Sequence, residues 1–122
     1  MRWTMLAVAL LVAAAPVCAQ TIRLIVPFAP GGIDVVGRIL AEQLKTAERA
    51  VVVENHGGAG GILGTAKAAE AAPDGKTILM GTLGSHILSP ATKDPRSIPY
   101  DPATAFEPVM LLALYVDAAA AA

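Results

Sequence analysis

Cysteine is almost missing from this chain: Cys18 is the only one, which excludes an internal disulfide and any thiolate-rich metal centre. Histidine is nearly as scarce. With only His56 and His86, no metal-ligand cluster can be read from spacing. Lysine and arginine number nine against ten acidic residues, a net charge of −1, and no basic run marks a nucleic-acid surface. Aromatics make up 4% of the chain, so its 55% hydrophobic fraction owes much to alanine and to the apolar N-terminus.

The chain has no apolar run long enough to cross a bilayer. The longest, "MLAVALLVAAA" from Met5 to Ala15, comes after Met1 and Arg2 and precedes small residues at Val17 and Ala19. A short basic start, a short apolar core and small residues before the cut describe an export signal over residues 1–19. Cleavage after Ala19 would remove Cys18 as well. The residues before Cys18 are "APV", which does not fit a lipid-anchored cysteine, so no membrane insertion is expected once the signal is gone.

What the chain does have is alternation of strand and helix patterns. "IRLIVPF", Ile22 to Phe28, is aliphatic and β-branched and reads as a strand buried on both faces. After Pro27, Pro30, Gly31 and Gly32, the period lengthens: Val36, Ile39, Leu40 and Leu44 form one stripe and Arg38, Glu42 and Lys45 another. "AVVVEN", Ala50 to Asn55, reads as a second buried strand, then "HGGAGG" and an alanine-rich helix from Ile62 to Ala72. Pro73, Asp74 and Gly75 make a turn, and "TILMGT" a third strand ending in a glycine-bearing loop from Gly81 to Ser85. A proline-spaced connection leads to a last apolar run, "VMLLALYV". This order predicts an α/β fold, a mainly parallel sheet with flanking helices.

In parallel sheets ligands sit beyond the carboxyl ends of the strands, where all three glycine loops fall. The first turn of a helix leaves amide hydrogens unpaired and carries partial positive charge. Glycines leave that end uncovered, so "APGG" and "GGAGG" build two mouths for a carboxylate or a phosphate. Asp34 is an acid in the first helical turn, where the dipole favours it. "GKT" at Gly75 to Thr77 lacks the earlier glycine of a phosphate loop and precedes a strand. Gly58, Gly60 and Gly64 fall one residue off the dinucleotide spacing, and no acid comes after the next strand for a ribose. A small nucleotide-binding α/β domain stays open as an alternative. Ser85 and His86 are adjacent without the glycines of a nucleophile elbow.

"VPFAPGGIDVVGR", "VVVENHGGAGGILG", "APDGKTILMGT" and "PYDPATAFEPV", in that order, resemble the solute receptors of tripartite tricarboxylate transporters, often called Bug proteins. The resemblance runs from Ile22 to about Leu114. It implies a periplasmic, two-lobed type II binding-protein fold without enzymatic activity or cofactor, serving membrane transporter subunits. It further implies capture of a small organic anion by Pro30, Gly31, Gly32 and Asp34 in the first loop, Gly60 and Gly61 in the second, and Gly81, Thr82, Ser85 and His86 around the third.

Two departures bear on that reading. Only Ile33 stands between the paired glycines and Asp34, where the family usually has two residues; one residue fewer at a helix start turns the rest of the helix by about 100°. Family members also continue through a second lobe, whereas this chain ends in "YVDAAAAA". Residues 20–122 are therefore expected to be a truncated first lobe, impaired in binding or a remnant without a role.

Overall fold

The computed structural model describes residues 20–112; the export signal expected over residues 1–19 and the end of the last apolar run lie outside them. Strand β1 is Gln20–Val26, helix α1 Gly32–Leu44, strand β2 Arg49–Asn55, helix α2 Ile62–Ala69 and strand β3 Thr77–Leu79. A π-turn, Gly84–Leu88, runs directly into the short helix α3, Ser89–Thr92. The strands form one parallel sheet in the order β2-β1-β3. The expected α/β class, a parallel sheet with flanking helices, is the fold observed.

β1 is central because it can be buried on both sides: Leu24, Ile25 and Val26 have no exposed surface. Alternation sends Leu24 and Val26 to one face and Arg23 and Ile25 to the other. On the first face, Leu24, Val26, Val51 and Met80 pack with Ala41 of α1. On the second, Arg23 donates two hydrogen bonds to Glu54, at 2.7 and 2.9 Å, and Glu54 also meets His56 at 3.0 Å and Lys67 of α2 at 3.9 Å. A smaller cluster joins Ile62, Ala66 and Ala69 of α2 to Ile98, Tyr100 and Phe106 of the later chain.

The expected buried stripe of α1 is corrected by the packing. Val36 and Ile39 are exposed, while Asp34, Gly37 and Ala41 are buried and Ile33, Leu40 and Leu44 line the core. Gly37 explains the rotation: a Cβ there would lie 2.8 Å from the Met80 sulfur and 3.1 Å from Val26 Cγ2. The helix backbone rests on the sheet at that point, and the stripe centres on the glycine. Among the described residues β2 is an edge strand with Val52 exposed, β3 is shorter than expected, and α2 ends at Ala69. The turn at Pro73 to Gly75 is as expected, with the Asp74 side chain accepting from Lys76 N at 3.0 Å and Gly75 at φ +73°.

Candidate functional site

Three loops leave the carboxyl ends of the strands and meet. Asn55 Nδ2 donates to the Phe28 carbonyl at 3.2 Å, tying the end of β2 to the first loop. Gly57 lies against the first loop so closely that a Cβ would fall 2.8 Å from Ala29 N. Gly61 sits between Phe28 and Ser85, with room for a Cβ only 3.1 Å from Phe28 Cζ and 3.3 Å from Ser85 Cβ. Residues from all three loops thus touch around Gly61.

In the first loop, Pro30, Gly31 and Gly32 are exposed. Gly31 is extended at φ 171°, and a Cβ on Gly32 would meet nothing within 4 Å. Neither residue needs to be glycine for the fold. Their effect is to leave the start of α1 bare, where no carbonyl among the described residues pairs with the N–H of Gly32, Ile33 or Asp34.

Asp34 is buried in that first turn, and its Oδ2 accepts from Arg38 Nε at 2.9 Å while Oδ1 has no partner. The Arg38 hydrogen bond holds its carboxyl below the usual carboxylate range. It therefore stays ionised and offsets part of the positive end of α1.

The second loop has a different geometry. Gly58, Ala59, Gly60 and Gly61 all have positive φ, at 137°, 51°, 72° and 91°. At the end of that run Gly61 is left-handed and Ile62 right-handed, and this alternation turns successive amides toward a common concavity, an anion-accepting arrangement that does not need a long helix. Gly61 N donates to Gly58 O at 3.0 Å, and the Gly60 N–H has no carbonyl partner among the described residues.

In the third loop, Gly81 is exposed and the His86 ring folds over it, 2.7 Å from where a Cβ would stand. Thr82 and Ser85 exchange hydrogen bonds, Thr82 N to Ser85 Oγ at 3.3 Å and Ser85 N to Thr82 Oγ1 at 3.2 Å. Ser85 has no exposed surface, and its Oγ lies 2.9 Å from His86 Nδ1. Tyr100 donates to the Ser85 carbonyl at 2.7 Å, and Phe106 packs against His86 with ring centres 5.3 Å apart. Burial pushes the His86 imidazole below its ordinary pKa, which favours the neutral ring. An enclosed hydroxyl beside a histidine that hydrogen-bonds no carboxylate among the described residues lacks the access a nucleophile needs.

Two residues at this edge were not legible as site residues. Lys93 Nζ donates to the Ala59 carbonyl at 2.9 Å, and Ser89 Oγ lies 3.5 Å from a Cβ position on Gly60. In "SHILSPATK" Ser85, Ser89 and Lys93 recur every fourth residue, but that spacing does not say that the row meets the second loop. Among the described residues no group of three or more histidine, cysteine or acidic side chains is placed to hold a metal, and no helix is long and apolar enough to cross a membrane. A groove of about 160 Å³ between α1 and β2 is lined by Arg38, Glu42 and Lys45, and another of about 260 Å³ by Pro90, Tyr100 and Pro102. Neither is lined by a glycine-loop residue; in those loops Pro30 to Gly32 and Gly57 to Gly60 are exposed.

The family described as the tripartite tricarboxylate transporter family receptor matches residues 36–119. The chain is similar to protein BugT of Bordetella pertussis, 44% identical over 94 residues, covering 71% of this chain and 28% of that protein. It is also similar to the UPF0065 protein in the tcbD-tcbE intergenic region of a Pseudomonas species, 38% identical over 96 residues, covering 77% and 28%. A solved structure described as that of a periplasmic transporter superposes with a TM-score of 0.62 at 44% identity, covering 67% of this chain and 28% of that one. The chain thus spans a little over a quarter of the length of these relatives.

Proposed function

The chain belongs to the tripartite tricarboxylate transporter receptor family, and from that premise we propose that it takes part in capturing small organic anions, carboxylates in particular, for a membrane transporter. In this reading residues 1–19 direct export to the periplasm, and residues 20–122 supply the first lobe of a two-lobed type II receptor. Binding involves no covalent step and no cofactor. Pro30, Gly31, Gly32, Asp34, Gly60, Gly61, Gly81, Thr82, Ser85 and His86 are the residues carried forward as the binding edge, with different tasks. Gly32 and Gly60 lie where amides have no carbonyl partner, whereas Asp34, Thr82, Ser85 and His86 brace the loops that present them.

The observation that carries this reading is the unpaired Gly60 amide and the left- to right-handed change from Gly61 to Ile62 beside the bare start of α1. Two sets of unpaired amides at one sheet edge suit an acceptor with more than one oxygen. The enclosed Ser85 hydroxyl supports a binding rather than a hydrolytic role.

Affinity depends on exposure. A micromolar complex needs about 8 kcal/mol, and a charge-assisted hydrogen bond gives about 1.5 to 3 kcal/mol in a protected setting. An open edge gives less, and association has its own cost, so millimolar dissociation constants are expected. Calorimetric titration of the chain with citrate, succinate and NAD tests the reading. Saturable binding of citrate or succinate with none for NAD is the expected result. Tighter binding of NAD than of either carboxylate would replace it with the nucleotide reading.

A further inference from the structure

The segment after β3 lays one face on the second glycine loop. Ser85, Ser89 and Lys93 are spaced four apart across the π-turn and α3, and each lies beside that loop. Ser85 lies beside Gly61, while Ser89 Oγ and Lys93 Nζ stand 3.5 and 3.8 Å from a Cβ position on Gly60. The spot where Gly60 has no side chain is thus bordered by a hydroxyl and an ammonium.

Both groups have capacity to spare. Ser89 is only 6% exposed, yet its hydroxyl makes no hydrogen bond among the described residues. Thr92, on the same helix, instead donates back to the Leu88 carbonyl at 2.6 Å. Lys93 gives one hydrogen to the Ala59 carbonyl at 2.9 Å, and an ammonium has three. The neighbouring acid does not neutralise it, since Asp94 pairs with Arg96 at 3.0 Å. The Gly60 amide is also without a carbonyl partner among the described residues.

We propose that Lys93, Ser89 and the Gly60 amide form a carboxylate subsite, in which Lys93 supplies the charge that selects an anion. The proposal rests on the carboxylate-receptor reading and adds to it the residues that discriminate charge. An anion at α1 meets Asp34 already paired with Arg38 and so gains no net positive charge, whereas one at Gly60 meets the Lys93 ammonium, which no acid pairs among the described residues. The second loop is therefore the stronger of the two mouths, and Lys93 is tied to it through the Ala59 carbonyl.

Titration of the isotope-labelled full chain, expressed with its own N-terminal segment, by citrate and by its neutral trimethyl ester tests this through amide shifts. Citrate is expected to move the Gly60, Gly61 and Ser89 signals to saturation and the ester to leave them in place. Lys93→Gln should raise the citrate dissociation constant about fivefold to tenfold, Lys93→Arg should restore most of the loss, and Ser89→Ala should raise it about twofold to fivefold. Spectra of each variant without citrate show whether the fold is kept. If Lys93→Gln unfolds the chain, the ionic-strength dependence of citrate binding at Gly60 replaces it, and salt-independent binding would overturn the proposal. Citrate binding that shifts only Gly32 to Asp34, unchanged in Lys93→Gln, would overturn the subsite and leave the receptor reading intact. No citrate shift at any loop would overturn both.

Discussion

At the residue scale, the glycines separate into those the fold requires and those it does not. Gly64 of α2 lies so close to the starts of the first and second loops that a Cβ would stand 2.5 Å from His56 O and 2.6 Å from Pro27 Cα, both backbone atoms. Gly64→Ala therefore forces the helix off the loop, and a loss of about 1 to 3 kcal/mol is expected. The gain in helix propensity offsets only part of it. Gly32→Ala, which meets no neighbour, should be neutral or stabilising by up to about 1 kcal/mol. Urea midpoints of the two variants check the contrast, and equal effects would contradict it. Glu54 provides a second residue-level test. Arg23, then His56, hold its carboxyl down at about 2, against an ordinary 4.5. A carboxyl depressed by folding stabilises the native state above its unfolded pKa, and that contribution is lost as pH falls through the folded value. Stability should thus decline between about pH 4.5 and 2, by about 1 kcal/mol after allowance for partial exposure. Glu54→Gln should flatten that limb while lowering stability at pH 7; parallel pH profiles would contradict the assignment.

At the element scale, much of the fold was legible because the strands and turns carry strong local signals. β1 was readable from an unbroken β-branched run, and the Pro73 to Gly75 turn from residues that each have one conformational reason to be there. The face of α1 was not readable. Val36 and Ile39 match a helical stripe as well as Ile33 and Leu40 do, and only the sheet beneath decides which side is buried. Gly37 settles it by allowing contact with Met80 and Val26, a tertiary fact absent from periodicity. The candidate site divides in the same way. The glycine mouths could be located because a strand-to-helix turn has a composition, whereas Lys93 reaches a carbonyl 34 positions back in the chain. No local pattern reports a contact of that range. Ser85 and Thr82 could be named, but their mutual hydrogen bonds and enclosure emerge only from the π-turn that packs them under Tyr100.

At the scale of the whole molecule, apolar surface is distributed in a way that favours association. Val35, Val36 and Ile39 on α1 are 56%, 40% and 59% exposed, and Leu63, Leu83, Ile87 and Leu88 are each exposed by more than half. Among the described residues β2 and β3 are the edge strands of the sheet. Such surfaces and edges pair with other chains, so the chain is expected to self-associate as concentration rises. Replacing Val36 with Thr and Ile39 with Gln should shift sedimentation toward the monomer without altering the core, since neither side chain is buried. An unchanged distribution would show that α1 is not the contact. Central to the proposed function are unpaired amides that receive an anion at one edge of the sheet. Anomalous diffraction from bromide-soaked crystals of the chain measures this directly, because bromide reports anion sites without regard to ligand identity. Bromide within hydrogen-bonding distance of the Gly60 amide, with a weaker site at Gly32 to Asp34, is the predicted result. Bromide bound elsewhere, with those amides facing only side chains, would contradict it.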